Sequence, residues 1–292
     1  MRCSLALLSS LFGLSIKVAA QSPVSQEVFD RLNQYQAFAA AAYADECATP
    51  PGGSQVIQYF NDAATDTQGT LFRQSSTNEL VLSFRGTSTP ADFGTDLTFL
   101  PVALSAAGTS CSGCLVHQGF QASYNAVSSA AIAAVKKEMT NGSPSFIITG
   151  HSLGAAIASI AASSFASQGI QPTVYTYGEP RNGNAAFTDY INGLISPEEY
   201  FRVTHSNDGV PQIPPTLLGF QHHGTEYWQS SNTSNTLETV LRCEGNEPAN
   251  CNNGEAPGDN PINRAHISYS DALIGNSLHI FACGATTPVV PV

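Results

Sequence analysis

The chain has 292 residues, enough for one large domain or two small ones. Charged residues make up only 11% of the sequence, against about a quarter in a typical globular domain, which argues against a disordered charged tail or a coiled coil. The formal net charge is −11 and Lys and Arg form no cluster, so a nucleic-acid-binding protein is not expected.

Residues 1–20 are predicted to be a secretory signal peptide. Arg2 supplies the positive start, residues 4–16 are largely apolar, and Val18-Ala19-Ala20 provides the small residues before a cleavage site. This apolar stretch falls short of the roughly 20 residues that a membrane-spanning helix needs. No later segment of the sequence is apolar over such a length, so residues 21–292 are expected to form a single secreted domain without a transmembrane anchor.

The mature chain would keep six cysteines, an even number that predicts three disulfides in an oxidising compartment. The six are Cys47, Cys111, Cys114, Cys243, Cys251 and Cys283. Short spacings favour a Cys111–Cys114 and a Cys243–Cys251 bridge, and Cys47 would then join Cys283. A redox-active Cys111–Cys114 pair is not favoured, because no strand-then-helix pattern surrounds it. A zinc site is not favoured either, because His222 and His223 are neighbours whose side chains diverge and no companion Cys or Asp shows ligand spacing.

Hydrophobic periodicity predicts helices that alternate with strands along the chain. The predicted elements are a helix over 25–44, strands over 56–60, 70–73 and 79–84, a helix over 120–138, a strand over 145–149, a helix to about residue 168, and strands over 173–177 and 200–205. This alternation predicts an α/β fold with a mostly parallel central sheet. The hairpin expected over 70–84 predicts an antiparallel edge.

The pentapeptide Gly150-His151-Ser152-Leu153-Gly154 matches the G-x-S-x-G pattern of an exposed nucleophilic serine. It lies between a predicted strand and a predicted helix, which is the context that such a turn requires. The flanking glycines allow close backbone packing, and the amide dipoles of the helix N-terminus favour negative charge. Ser152 is therefore the candidate nucleophile.

A serine hydroxyl needs a base that a third group orients, and in such a fold the acid and then the histidine follow the serine. Downstream candidates include Glu179, Asp189, Asp208, Glu226, Asp259 and Asp271, with His205, His222, His223, His266 and His279. Asp208 directly follows the predicted strand 200–205, at the strand end where ligand sites form. His266 lies in a loop that can reach the same edge, whereas His205 and His279 are interpreted as structural histidines.

Four motifs occur in order along the chain. They are Phe84-Arg85-Gly86-Thr87, Gly150-His151-Ser152-Leu153-Gly154-Ala155-Ala156, Gly178-Glu179-Pro180-Arg181-x-Gly183-Asn184 and Phe201-Arg202-Val203-Thr204-His205-Ser206-Asn207-Asp208. Together they resemble the fungal class-3 lipase family, which includes triacylglycerol lipases and type A feruloyl esterases, from about residue 24 to residue 283. The resemblance implies an α/β-hydrolase fold with a nucleophile elbow and a short lid, the same three disulfides, and no metal or organic cofactor.

The resemblance also implies roles for individual residues. It makes Ser152 the nucleophile, Asp208 the orienting acid and His266 the base. The oxyanion hole would consist of the backbone N–H of Leu153 and the backbone N–H, with the hydroxyl, of Thr87.

Residues 88–100 occupy the position of the family's lid. Within them Phe93, Leu97, Phe99 and Leu100 would form an apolar face that covers the site in water. The feruloyl esterases use a tyrosine to bind the phenolic acid, and its place falls on Phe99, which favours acylglycerols. In contrast, residues 204–209 and 226–228 resemble the feruloyl esterases.

The expected function is that of a secreted, monomeric serine esterase that cleaves acylglycerols at a lipid–water interface. The alternative in the same class is a feruloyl esterase of plant cell-wall hydroxycinnamate esters, and the alternative in another class is a non-catalytic surface-recognition protein. Asn232 and Asn141 begin N-x-S/T patterns and are predicted glycosylation sites.

Overall fold

The computed structural model describes residues 21–87, 99–142, 145–275 and 283. The predicted signal peptide, most of the predicted lid and His279 lie outside the described residues. The strands are β1 Gln21–Pro23, β2 Gln55–Asp62, β3 Thr67–Arg73, β4 Leu80–Phe84, β5 Pro101–Ala103, β6 Leu115–His117, β7 Phe146–His151, β8 Thr173–Tyr177, β9 Tyr200–His205, β10 Glu226–Gln229, β11 Val240–Cys243, β12 Ser268–Tyr269 and β13 Ala272–Leu273. The helices are α1 Gln26–Ala41, α2 Gln118–Thr140, α3 Leu153–Ser167 and α4 Ala185–Leu194, with single 3-10 turns at Pro51–Gly53, Val210–Gln212, Thr216–Leu218 and Asn252–Gly254.

Among the described residues, nine strands form one sheet in the order β1-β11-β10-β9-β8-β7-β4-β3-β2. The central strands β10, β9, β8, β7 and β4 run parallel to their neighbours. At one edge β3 and β2 are antiparallel, and at the other edge β11 and β1 are antiparallel. The mostly parallel sheet, the antiparallel edge and the α/β-hydrolase fold are therefore confirmed.

Helices cover both faces of this sheet. Successive side chains of a strand point to opposite faces, so a central strand contributes side chains to the core on each face. In β7, Phe146 and Ile148 pack in the core formed with α2, α3 and α4. Ile147, between them, packs in the core formed with α1. A strand buried on both faces has a continuous apolar sequence, which is why residues 145–149 were recognisable as a strand.

Three disulfides link cysteines of the described residues. The three bridges join Cys47 to Cys283, Cys111 to Cys114 and Cys243 to Cys251, as the short spacings and the resemblance both predict. The Cys47–Cys283 bridge spans 236 residues and connects the region after α1 to the end of the described chain. Within the described ranges, no helix is long and apolar enough to cross a membrane.

Candidate active site

Strand β7 and helix α3 meet at Ser152 in a tight turn. Ser152 has φ 59° and ψ −126°, a conformation that an L residue rarely adopts and that costs on the order of 1–3 kcal/mol. Its backbone N–H donates to the carbonyl oxygen of Tyr177, on the neighbouring strand β8, at 2.9 Å. The turn therefore holds Ser152 at the carboxyl end of the sheet, next to the first N–H groups of α3, which have no partner within the helix.

The two glycines of the pentapeptide make room for this turn. A Cβ on Gly150 would overlap the carbonyl group of Gly154, and a Cβ on Gly154 would overlap the carbonyl oxygen of Phe84, the last residue of β4. Neither glycine has a positive φ, so close packing, and not backbone conformation, requires them. Helix α3 can consequently begin in direct contact with the ends of β7 and β4.

The segment that follows β4 is fixed against the same turn. Arg85 reaches back to the β2–β3 connection, where its guanidinium donates to Oδ1 of Asp66 at 2.6 Å. A Cβ on Gly86 would overlap the hydroxyl of Tyr43, so the backbone there packs directly on that side chain. Thr87, the predicted second donor of the oxyanion hole, comes next and is partly buried.

Asp208 and His266 form a buried pair at the end of β9. Oδ2 of Asp208 is 2.9 Å from Nδ1 of His266, and Oδ1 is 3.1 Å from it. The carboxylate also accepts from the backbone N–H of Val210 at 2.9 Å and from the hydroxyl of Tyr269. Since a carboxylate only accepts, Nδ1 must carry the proton, and Nε2 of a neutral His266 is then a proton acceptor.

His151 connects His266 to the serine turn. Nε2 of His151 donates to the carbonyl oxygen of His266 at 2.7 Å, and Nδ1 accepts from the hydroxyl of Tyr43 at 2.8 Å. The ring centroids of His151 and His266 are 4.6 Å apart. Burial, and the nearby His266, hold the pKa of His151 well below its usual range, so His151 is neutral and can make both bonds. His266 is thereby held beside the residue that precedes Ser152.

Gly178, which follows β8 and begins the third sequence motif, lies against the side chains of Asp208 and His266. Its φ is +60°, and a Cβ there would lie 2.9 Å from Oδ2 of Asp208 and 3.0 Å from the ring of His266. The next residue, Glu179, is buried and accepts from Nε2 of His223 at 3.0 Å. Burial alone would raise the pKa of Glu179, but the contact with His223 and the hydrogen bonds to the carboxylate lower it to about 2.

The remaining candidate acids and histidines have other surroundings. Among the acids, Glu226 pairs with Arg202 at 3.6 Å, Asp271 accepts from the backbone N–H of Asn235 at 3.0 Å, and Asp189 and Asp259 are exposed. Among the histidines, His222 donates to the carbonyl oxygen of Pro211 at 2.7 Å, and the ring of His205 lies between two backbone carbonyl oxygens. Among the predicted triad residues, the structure brings Asp208 and His266 into direct contact and places Ser152 next to His151.

Two of the four predicted lid residues can be described. The ring of Phe99 is partly buried, 6.3 Å from the ring of His117, and Leu100 is 45% exposed. Phe93 and Leu97 lie outside the described residues. The predicted glycosylation residues Asn232 and Asn141 are both exposed.

Four residues of this site were not identified from the sequence: Tyr43, His151, Gly178 and Tyr269. His151 and Gly178 stood inside recognised motifs, but their motif position alone does not say what they contact. Tyr43 and Tyr269 are 226 residues apart and carry no local pattern, so only the tertiary structure identifies their hydroxyls as part of the site.

Comparisons with known proteins show what this chain is similar to. The family described as lipase (class 3) matches residues 81–218. A lipase of Rhizomucor miehei is 32% identical over 277 residues, covering 88% of this chain and 72% of that protein. The secreted mono- and diacylglycerol lipase 1 of Fusarium solani is 33% identical over 199 residues, covering 67% of this chain and 57% of that protein. The solved structure of the Rhizomucor miehei lipase propeptide complex superposes with a TM-score of 0.78 at 28% identity, covering 87% of this chain and 84% of the other.

Proposed function

This chain belongs to the class 3 lipase family, and we propose that it is a secreted serine hydrolase that cleaves the carboxylic ester bonds of acylglycerols. The observation that carries the proposal is the strained Ser152 turn beside the buried Asp208–His266 pair. Acyl transfer to a hydroxyl requires this combination, because the serine needs a base and the base needs a group that orients it.

In the proposed reaction, the hydroxyl oxygen of Ser152 attacks the ester carbonyl carbon. Nε2 of His266 takes the serine proton and then gives it to the departing alcohol, while Asp208 keeps the proton on Nδ1 and stabilises the imidazolium. Water, deprotonated by the same histidine, then attacks the acyl carbon. The bond from that carbon to the serine oxygen breaks, the histidine returns the proton to the serine oxygen, and the carboxylic acid leaves.

The oxyanion that forms in each step is proposed to accept from the backbone N–H groups of Leu153 and Thr87. Leu153 is the first residue of α3, so its N–H has no acceptor within the helix. The contacts of Arg85 and Gly86 support a fixed position for the segment that carries Thr87. A donor of this kind changes kcat by about 100- to 1,000-fold.

Acylglycerols are the proposed substrates for two reasons. The relatives from Rhizomucor miehei and Fusarium solani are named as a lipase and as a mono- and diacylglycerol lipase. Phe99, which occupies the place of the phenol-binding tyrosine of feruloyl esterases, has no hydroxyl with which to bind a phenolic acid. A hydroxycinnamate esterase therefore has less support.

The proposal includes secretion after removal of residues 1–20, glycosylation at Asn232 and Asn141, and action as a monomer at a lipid–water interface. Three disulfides and relatives named as secreted lipases support secretion. Residues 88–100 are proposed to gate access to Ser152, with Phe99 and Leu100 at the end of the lid.

The test of the mechanism compares the mature protein with its Ser152→Ala variant. We expect a fluorophosphonate probe to label the wild type and not the variant, and tributyrin hydrolysis to fall to background in the variant. Ser159→Ala is a matched control, because Ser159 is also a buried serine of the same region but lies within α3. Labelling and hydrolysis that survive in Ser152→Ala would refute the mechanism.

The test of substrate class compares initial rates on emulsified triolein, tributyrin and methyl ferulate. We expect hydrolysis of both glycerides and little release of ferulate. The Phe99→Tyr variant is expected to raise the ferulate rate, whereas Phe99→Leu, which removes the ring without adding a hydroxyl, is not. Release of ferulate without activity on triolein emulsions would replace the acylglycerol assignment by the feruloyl esterase.

A further inference from the structure

We propose that His205 is a positioning residue that holds the loop of His266 in place as an imidazolium. The proposal rests on the proposed role of His266 as the catalytic base. His205 is the last residue of β9, is 5% exposed, and was interpreted from the sequence only as a structural histidine.

Both ring nitrogens of His205 face backbone carbonyl oxygens. Nδ1 is 3.1 Å from the carbonyl oxygen of Ala265, and Nε2 is 2.8 Å from the carbonyl oxygen of Ser231. A carbonyl oxygen only accepts hydrogen bonds, and a neutral imidazole has a single N–H to donate. Only the imidazolium can donate to both carbonyls, so the geometry selects the protonated form of His205.

The carbonyl held by Nδ1 belongs to the residue directly before the catalytic base. Ala265 precedes His266, and His151 holds the carbonyl oxygen of His266 itself. The peptide groups on both sides of the His266 side chain are therefore held by histidines. His151 makes its two bonds as a neutral ring because Tyr43 donates to it, whereas among the described residues both ring nitrogens of His205 face carbonyl oxygens.

The elements packed against His205 carry several titratable or charged groups. From β12, the ring of Tyr269 lies 5.7 Å away, and from the loop after β9, the backbone N–H of Asp208 donates to the carbonyl oxygen of His205. The others are Tyr177 on β8, Glu226 on β10, Arg264 and His266 on the loop of the base, and Asp271 beside the 231–235 loop.

A surface cleft gives protons access to this position. The cleft has a volume of about 670 Å³, and its lining includes His205, Asn263, Arg264 and Ala265. Solvent therefore reaches the ring of His205 without unfolding of the sheet.

Deprotonation of His205 removes one of the two donors and turns a nitrogen lone pair towards a carbonyl oxygen. The loop of the base or the 231–235 loop then loses its contact with β9. If the Ala265 contact is lost, His266 moves relative to Ser152. We therefore expect kcat to fall by about tenfold or more as the pH rises, which gives the pH profile of kcat an alkaline limb. KM should change little, because His205 is proposed to act through the loop of His266 and not on the substrate.

The experiment measures kcat and KM for tributyrin across the pH range, in wild type and in three variants. A glutamine amide does not titrate, so the alkaline limb should be absent from the His205→Gln variant, whereas His205→Leu, which has no donor, should have low kcat at every pH. His222→Gln is the matched control, because His222 is buried and donates to one carbonyl. It should retain the wild-type alkaline limb.

Nitrogen-15 NMR of the wild type tests the protonation state directly and needs no variant to fold. We expect both ring nitrogens of His205 to be protonated where the enzyme is most active, and one proton to be lost in step with kcat. A single protonated nitrogen at full activity, or an alkaline limb that persists in His205→Gln, would overturn the proposal. Activity that survives in Ser152→Ala would instead refute the proposed function and leave the His205 spectrum unchanged.

Discussion

The Tyr269→Phe substitution removes one hydrogen bond from Asp208 without touching the substrate site. The Tyr269 hydroxyl donates to Oδ2 of Asp208, the same oxygen that lies 2.9 Å from Nδ1 of His266. Tyr269 is completely buried, and burial and the adjacent Asp208 raise its pKa well above its usual range, so the hydroxyl remains a donor throughout the working pH range.

The magnitude follows from the charge of the acceptor. A hydrogen bond to an ionised group contributes about 1.5–3 kcal/mol, so Tyr269→Phe should lower the free energy of unfolding at neutral pH by about that amount. Asp208 keeps its contacts with His266 and with the N–H of Val210. The orientation of His266 therefore survives, and kcat should fall by less than about tenfold, since tenfold corresponds to about 1.4 kcal/mol.

The pH profile of kcat/KM gives the sharper measurement. A carboxylate with one hydrogen bond fewer attracts the imidazolium proton of His266 more strongly, so the acid limb should move to higher pH, by less than about one unit. Tyr177→Phe is the matched control, because the Tyr177 hydroxyl is equally buried but donates to the neutral carbonyl oxygen of Leu32 at 2.6 Å. It should lower stability by only about 0.5–1.5 kcal/mol and leave the acid limb in place.

Urea unfolding and the pH profile of both variants decide the matter. If Tyr269→Phe and Tyr177→Phe lose the same stability and neither moves the acid limb, the Tyr269 hydroxyl does not stabilise the charge of Asp208, and the reasoning is wrong.

Three further predictions concern other parts of the structure. Gly178→Ala should lower kcat by about 100-fold, because the new Cβ presses on the Asp–His pair, with a stability loss of about 1–2 kcal/mol from the positive φ; a variant with wild-type kcat would contradict this. Contact with His223 lowers the pKa of Glu179 from 4.5 to about 2, so the wild type has a stability contribution of about 3 kcal/mol above pH 4.5 and loses it as the pH falls towards 2. Glu179→Gln should abolish this contribution, which urea unfolding as a function of pH measures. Replacing Cys47 and Cys283 by Ala should lower stability by up to about 5 kcal/mol, because the bridge closes a loop of 236 residues; an unchanged melting temperature would argue against that entropic account.

The central part of the fold was predictable because its strands are buried on both faces. The predicted strands over 173–177 and 200–205 coincide with β8 and β9, and the predicted helix over 120–138 lies within α2. Strand β7 extends beyond the predicted residue 149, because Gly150 and His151 still pair with Thr176 and Tyr177 of β8. An apolar pattern cannot signal this, since a glycine and a histidine end the strand.

Strand β10 was not predicted, because two of its four residues are buried polar side chains. Glu226 accepts from the hydroxyl of Thr204, and Gln229 accepts from the backbone N–H of Ser270 at 2.8 Å. Buried polar residues that find partners in distant segments resemble a surface loop in sequence. The same limit applied to the site: the motifs identified Ser152, Asp208 and His266 as candidates, but the partners that hold them lie far away in the chain.

The end of β8 explains why motifs so distant in sequence occur together. The carbonyl of Tyr177 accepts from the N–H of Ser152, and Gly178, next along, leaves space for the side chains of Asp208 and His266. Glu179 then buries its carboxylate against Asn182, Tyr200 and His223. Three consecutive residues thus set the position of the serine turn, the clearance of the acid–base pair and the anchoring of their own loop. A substitution that shifts this strand end by a fraction of an ångström would act on the serine turn and on the acid–base pair at once. Effects of substitutions at Gly178 and Glu179 on kcat should therefore be non-additive in a double-mutant cycle, whereas either of them combined with the distant Cys47–Cys283 replacement should be additive.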